Sequence, residues 1–269
     1  MSGQTPAARF GLIVVAMWLA VVLAAPWISP YHPLLQHIAD RLQPPGRLHW
    51  LGTDSLGRDV LSRLIYGARP TFILAVGVAT LMAPIGLTLG IASGYFGGWI
   101  DRMLSGVTNI VMAFPQLILA LALVGVLGPG LPNVALALIL TGWPAYARLA
   151  RAETQLLRRT DYIAAAEMLG IGGPRLLFGH LLPACIPALR VRLALDLAAI
   201  ILAAAALGYL GLGVRPPTPE WGSMVAEGGR VVFDQWWLAA APGMSIFLLS
   251  LAFNCLADGL RGSGERHVG

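Results

Sequence analysis

Few side chains in this sequence could do chemistry, and they are scattered. Metal coordination would use histidine and cysteine, of which the sequence has five and two: His32, His37, His49, His180, His267, Cys185 and Cys255. No two histidines are spaced i, i+4, a spacing that places two metal ligands on one helix face. Both cysteines fall in or beside apolar segments, where a buried small side chain is the common role. The sequence therefore predicts no metal site, no disulfide and no cofactor.

Lysine is absent, so all eighteen basic side chains are arginine. A Walker A loop needs a lysine on the nucleotide phosphates, and a Schiff-base enzyme needs a lysine amine. This chain can therefore contain neither a Walker A loop nor a Schiff-base lysine. If ATP drives the protein, another polypeptide must bind it.

The passage GTDSLGRD, residues 52–59, places two carboxylates near glycines. A calcium loop would need more oxygen ligands at a different spacing. We expect instead a folded segment outside the membrane, in which opposite charges pair. The charged residues concerned are Asp54, Arg58, Asp59 and Arg63.

Two other features could have a function. GYLGLG, residues 208–213, has the glycine content of an ion filter, but a filter needs symmetric repetition around a pore, so close helix packing or an external hinge is favoured. Asp196 lies in an apolar segment, where an ionisable side chain is a functional candidate. Its closeness to Arg190 and Arg192 favours an interfacial ion pair.

The elements that position these residues are membrane helices. Hydrophobic residues make up 57% of the chain and charged residues 12%, with a mean hydropathy of +0.73. Soluble domains are less apolar and about twice as charged. Uncharged runs are long enough to cross a hydrocarbon core of about 30 Å, which takes about 20 helical residues. The composition predicts an integral all-α membrane protein.

Charge and turn residues divide the chain into six predicted spans. The first apolar run is long for a signal peptide, and we expect it to be retained. Glycines 77, 86, 90 and 94 in the second span recur at spacings that let helices approach closely. GPGLPN, residues 128–133, separates spans three and four. The spans cover about 10–28, 71–95, 104–127, 133–150, 184–212 and 236–257.

Outside the spans, residues 29–69 form the longest polar segment, residues 151–183 a second, and residues 261–269 a short tail. We thus divide the chain into an N-terminal part, 1–69, a five-span core, 70–260, and the tail. With both termini in the cytoplasm, eleven arginines and seven acids fall inside, against seven arginines and six acids outside. The positive-inside rule favours this orientation, which also places 151–183 in the cytoplasm.

The stretch DYIAAAEMLGIGGPRLLFGHLLP, residues 161–183, is unlike its apolar surroundings. Three successive alanines favour a short, smooth helix. Gly170 is well placed as the left-handed residue that ends it, and Pro174 suits the first turn of another helix. We predict two short helices at an angle, outside the membrane. They could be an ordinary helical loop or a docking element.

The spacing of this stretch resembles the cytoplasmic loop of permease subunits in bacterial ABC importers. That loop reads E-A-A, three residues, glycine, nine residues, then I-x-L-P. Here Ala164-Ala165-Ala166 are followed by Gly170 and by His180-Leu181-Leu182-Pro183, with the same intervals. Ala164 replaces the family's glutamate and His180 its isoleucine. The match therefore depends on spacing more than on residue identity.

Three longer passages narrow the resemblance. Residues 50–69, 208–228 and 251–261 are similar to signatures of the dipeptide, oligopeptide and nickel permease family, in its C-type subunit. Together with the cytoplasmic loop they cover nearly the whole chain from Leu48 to Arg261. The tail lacks the aspartate-proline ending of many peptide-type members. This difference and the chain length slightly favour the metal branch of the family over the peptide branch.

This resemblance implies a type I ABC importer permease fold with six transmembrane helices and a cytoplasmic coupling-helix hairpin. The subunit would have no catalytic chemistry of its own. A second permease would complete the pathway, two ATPases would dock on the hairpins, and an external solute-binding protein, which the 52–63 segment could contact, would deliver substrate. The coupling residues implied are Ala164, Ala165, Ala166, Glu167, Gly170, His180, Leu182 and Pro183.

Import of small peptides across a bacterial inner membrane is the expected function. Import of nickel or an opine-type metal chelate by the same fold is the alternative. A self-contained secondary transporter is disfavoured because inverted repeats and several intramembrane charges are not evident. A membrane-embedded hydrolase would need histidine, aspartate or serine groups converging at one depth, and the histidines mostly lie outside the spans.

Overall fold

The computed structural model describes residues 6–264, and side chains as far as Arg261. The predicted tail, including Arg266 and His267, therefore lies largely outside the described residues. The described part contains helices and turns and no strand. The helices are α1 Pro6–Ile28, α2 Val60–Phe96, α3 Gly98–Met112, α4 Gln116–Leu127, α5 Leu131–Leu157, α6 Asp161–Met168, α7 Pro174–Leu176, α8 Leu182–Tyr209, α9 Trp221–Gly229 and α10 Trp237–Gly264.

The longest helix, α2, is the centre of the bundle. It begins where the Asp59 carboxylate accepts a hydrogen bond from the Ser62 N–H at 2.7 Å, satisfying a backbone donor that the first helical turn leaves free. It ends at Gly97, whose φ of 64° is left-handed. Pro70 and Pro84 both lie inside it without interrupting it.

Glycines bring α2 and α5 into backbone contact. A Cβ placed on Gly86 would lie 2.4 Å from the Trp143 carbonyl oxygen, and one on Gly90 would lie 2.3 Å from that of Ala147. Gly94 is similarly close to α5. The predicted close approach is confirmed at these three positions and is wrong for Gly77, which faces open space.

The other helices complete the core. The start of α1 lies close to α10, since a Cβ on Gly11 would be 2.4 Å from the Ala252 carbonyl oxygen. Further along α1, the Trp18 ring packs edge-on against Trp221 of α9, with ring centroids 4.8 Å apart. Apolar side chains of α2, α5, α8 and α10 fill the space between them.

The predicted number of spans is not confirmed. Among the described residues, four helical segments are long and apolar enough to cross a membrane: 6–28, 60–96, 174–209 and 237–261. A fifth span arises if α3 and α4 are counted together. The expected span 104–127 is in fact this pair, bent by 86°. The bend falls at Pro115, which has an extended ψ of 126° and cannot donate a helical hydrogen bond. The expected span 133–150 lies within α5, which is not among the apolar spans.

Candidate functional site

The short helix α6 ends at Gly170 as expected. Gly170 has a φ of 79°, and its N–H donates to the Glu167 carbonyl at 3.0 Å. The Ile171 N–H donates to the Ala166 carbonyl at 3.0 Å. These two bonds form a Schellman motif, which satisfies carbonyls that the end of a helix otherwise leaves free. The helix therefore stops at a defined point.

One face of α6 packs on the protein and the other is open. Ile163 and Ala166 are buried. The predicted coupling residues Ala164, Ala165 and Glu167 are exposed, as is Gly170. A group of apolar side chains continues this exposed surface: Met168 is 90% exposed, Leu169 80%, Tyr162 60% and Phe178 60%. We call these four residues with Ala164 and Ala165 the α6 surface. Two small alanines beside four large, mostly apolar side chains suit contact with another protein.

The second helix of the predicted pair is not a separate short helix. Pro174 does begin it, after Gly173 with a φ of 55°. After α7, however, residues Leu177–Leu181 form a π turn that leads directly into α8. Pro183 and Leu182 therefore lie in the first turn of a helix that ends at Tyr209. The stretch is one short helix joined by a tight turn to a long one.

The α6 surface is tied to this π turn by a side-chain hydrogen bond. The Tyr162 hydroxyl lies 2.5 Å from His180 Nδ1, and the two rings are 5.6 Å apart. His180, where the family has isoleucine, thus connects α6 to the start of α8. Tyr162 could not be predicted as its partner, because a separation of eighteen residues does not indicate contact.

Two polar contacts hold residues 158–173, which include α6, against the end of α2 at Phe96. Arg158 Nη1 donates to the Tyr95 carbonyl at 2.7 Å, and its guanidinium lies 5.4 Å from the centre of the Tyr95 ring. The Gly173 N–H donates to the Tyr95 hydroxyl at 3.4 Å. Nearby, Arg151 of α5 binds the Asp101 carboxylate through two nitrogens, at 2.5 and 2.7 Å. The segment that carries the α6 surface is therefore connected to α2 through Tyr95 and to the start of α8 through His180, while Asp101 and Arg151 join α3 to α5.

At the opposite end of α2 lies the charged cluster expected from residues 52–63. The Asp54 carboxylate binds Arg58 Nε at 2.7 Å and also binds Arg63. Both guanidinium groups extend to Glu227 of α9, at 3.3 Å from Arg58 and 3.1 Å from Arg63. Burial raises the pKa of Glu227, while the Arg58 charge opposes that rise. The expected ion pairing is confirmed for these residues. Asp59 instead caps α2 and lies 2.8 Å from His49.

The remaining candidates have packing roles. Arg192 Nε donates to Asp196 at 2.9 Å, which confirms the expected ion pair and selects Arg192 over Arg190 as its partner. A Cβ on Gly208 would lie 2.2 Å from Glu220 Oε2, so the glycine passage permits close packing, as expected. Glu220 caps α9 by accepting from the Gly222 and Ser223 N–H groups. Within residues 6–264, no group of three histidine, cysteine, aspartate or glutamate residues could hold a metal.

Comparisons with known proteins agree on one class. Residues 86–262 match the family described as binding-protein-dependent transport system inner membrane component, and residues 4–45 match the N-terminal TM domain of oligopeptide transport permease C. A dipeptide transport system permease protein of Alkalihalophilus pseudofirmus is 38% identical over 93% of this chain and 83% of that protein. A di/tripeptide permease of Pseudomonas aeruginosa is 40% identical over 93% and 85%.

A solved structure has the same fold. It is an inward-facing MetNI methionine ABC transporter, with a TM-score of 0.58 and 20% sequence identity, covering 77% of this chain and 94% of that one.

Proposed function

The chain belongs to the family of binding-protein-dependent transport system inner membrane components, and we propose that it passes small peptides through a bacterial inner membrane as one permease subunit of an ATP-driven importer. It is an all-α membrane protein with the type I ABC importer permease fold. Its relatives are transport permease subunits, which accords with a role that is not enzymatic.

The observation that carries the proposal is the α6 surface. It is exposed and largely apolar, and most of it belongs to a helix with a defined end and fixed neighbours. An ATPase subunit docking there would contact Ala164, Ala165 and Glu167 directly. Movement of the ATPase would reach α8 through the Tyr162–His180 hydrogen bond and the continuous π turn, and would reach α2 through Tyr95.

The partners follow from the chemistry that this chain lacks. Without lysine it has no Walker A loop, so ATP would be bound by two separate ATPase subunits. A second permease would complete the translocation pathway, and a solute-binding protein would deliver peptide at the face opposite α6. Both termini and α6 would lie in the cytoplasm, as the arginine distribution predicts. The charge cluster around Asp54 would then lie on the outer side.

Peptides are favoured over nickel as the substrate. The relatives above are named for dipeptides and for di- and tripeptides. Their identity to this chain, 38–40% over most of its length, outweighs the expectation of a metal substrate. Nickel import is therefore not favoured.

Two glycines near the end of α6 allow a matched test. Gly170 has a φ of 79°, which proline cannot adopt, and its N–H closes the Schellman motif, so Gly170→Pro should displace the α6 surface. Gly172 is exposed, its φ is not left-handed, and an added Cβ would meet nothing within 4 Å. Gly172→Ala should therefore leave coupling intact.

The assay is ATP-dependent dipeptide uptake by the complete transporter in proteoliposomes, together with copurification of the ATPase subunits. We expect Gly170→Pro, and also Ala165→Trp, to reach the membrane at normal levels but to lose uptake and bind the ATPase weakly. A docking loss of about 1.4 kcal/mol already weakens binding tenfold. Normal uptake and copurification in both variants would contradict the proposed role of α6.

A further inference from the structure

A polar cavity lies between α2, α3 and α5, at the end of the bundle that carries α6. Its volume is about 220 Å³, and nothing in the proposed transport role uses it. Its polar lining residues are Ser93, Ser105, Thr108, Asn109, Arg148 and Arg151. Hydroxyl, amide and guanidinium groups therefore meet in one place within a largely apolar bundle.

Part of this lining is already satisfied by hydrogen bonds within the protein. The Asp101 carboxylate accepts from Arg151, from the Ser93 hydroxyl at 2.5 Å and from the Ser105 hydroxyl at 3.2 Å. The Arg151 charge is thus cancelled by Asp101. This group closes one side of the cavity and needs no ligand.

The other side presents donors without an anion. Arg148 Nη2 donates to the neutral Asn109 amide oxygen at 3.2 Å, and none of the described carboxylates lies within ion-pair distance of Arg148. Arg148 and Asn109 are exposed and Thr108 is buried, and within the described residues the Asn109 amide nitrogen and the Thr108 hydroxyl make no hydrogen bond. The cavity therefore has a net positive charge and free donors, which together suit an anion.

The surroundings of the cavity are those of a membrane boundary. On the outer face of α3, Trp99 is 71% exposed, Met103 62% and Ile110 67%. Tryptophan is enriched where hydrocarbon meets headgroups. Apolar side chains at 103 and 110 continue from Trp99 along the helix and offer a surface to acyl chains. Basic pockets between membrane helices on the cytoplasmic side bind anionic lipid headgroups.

We propose that this cavity binds the headgroup phosphate of an anionic phospholipid. Arg148 holds the phosphate by charge-assisted hydrogen bonds, with Asn109 and Thr108 as further donors. The acyl chains lie along the exposed face of α3. The lipid belongs to the leaflet at the α6 end, which is the inner leaflet in the proposed orientation. Lipid bound there joins α3 to α5 beside the Asp101–Arg151 pair.

The test measures lipid retained by the complete purified transporter. The transporter is stripped of lipid in detergent and incubated with equal amounts of phosphatidylglycerol and phosphatidylcholine, and the bound lipid is counted by native mass spectrometry. We expect phosphatidylglycerol to be retained preferentially. Arg148→Gln should weaken that retention roughly tenfold, as loss of one charge-assisted hydrogen bond implies. Thr108→Val, which keeps the side-chain shape, should weaken it less and covers the case in which Arg148→Gln fails to fold.

Arg102 provides the matched control. It is an exposed arginine next to Asp101 and does not line the cavity, so Arg102→Gln should retain phosphatidylglycerol like the wild type. Equal retention of the two lipids, or equal losses in Arg102→Gln and Arg148→Gln, would overturn the proposal.

Competition experiments identify which anion the cavity binds. Displacement of the lipid by inorganic phosphate would assign the cavity to free phosphate, and displacement by a dipeptide would assign it to the transport pathway; either result would overturn a lipid site.

Discussion

Replacing Gly90 by alanine tests the contact on which the bundle is built. The added Cβ would lie 2.3 Å from the Ala147 carbonyl oxygen, whereas ordinary contact begins at 3.4 Å. The obstacle is backbone on a neighbouring helix, so no side chain can move aside. Helices α2 and α5 must therefore separate by about 1 Å along their largest contact, which loses dispersion energy on both sides.

The expected loss of stability is best measured against Gly77→Ala. Overpacking of this kind costs about 1–3 kcal/mol. Alanine also has a better helix propensity than glycine, by about 1 kcal/mol, and this gain applies to both variants because both glycines lie inside α2. Gly77 has open space around it, so its variant receives the gain alone. The difference between the two variants should therefore be the overpacking cost of about 1–3 kcal/mol.

The assay is thermal unfolding of the purified transporter in detergent. For domains of 150–250 residues, about 1 kcal/mol shifts Tm by 2–4 °C, so Gly90→Ala should melt roughly 2–12 °C below Gly77→Ala. Uptake of dipeptide at a temperature below both transitions serves as a control for correct assembly. Equal Tm values for the two variants would refute the argument that glycine sets the distance between α2 and α5.

Three further predictions concern the polar groups. Asp54→Asn removes one of the two carboxylates that pair with the buried Arg58 and Arg63, leaving them only Glu227 at 3.3 and 3.1 Å, and should destabilise the fold by about 3 kcal/mol, seen as loss of folded protein, whereas Asp234→Asn, at an exposed residue with no described ion pair, should change little. Burial raises the pKa of Glu220, so its protonated form stabilises the fold and that contribution is lost as pH rises above the usual value of about 4.3; Glu220→Gln should make Tm less dependent on pH in that range, and an unchanged profile would contradict this. A double-mutant cycle with Tyr162→Phe and His180→Leu should give an interaction energy of about 0.5–1.5 kcal/mol for ATPase docking, and strict additivity would exclude a role for their hydrogen bond.

Features that depend on local backbone chemistry could be predicted from the sequence. Gly170 ends α6 and Pro174 begins the next helix because left-handed φ and a missing N–H are properties of those residues themselves. The ion pairs of Asp54 were also predictable, since its two arginines lie within nine residues of it. In each case the residues that determine the structure are near one another in the chain.

Features that depend on the neighbouring helix could not be predicted. Gly77 and Gly86 both lie among uncharged, mostly apolar residues of the same helix, and only the position of α5 distinguishes them. Pro115 breaks a helix, whereas Pro84 and Pro144 lie within helices that continue. The pairing of Asp101 with Arg151, fifty residues away, has no counterpart in local spacing.

Because α2 is continuous, its length determines how far one end is displaced when the helix tilts about the other end. At 1.5 Å per residue, its 37 residues extend for about 55 Å, well beyond the thickness of the hydrocarbon core. A rod of that length tilted by about 10° about one end displaces the other by about 10 Å, with every internal hydrogen bond kept. A small rotation near Tyr95 is therefore magnified at Val60. The Val60 end can therefore be displaced without any unfolding along the helix.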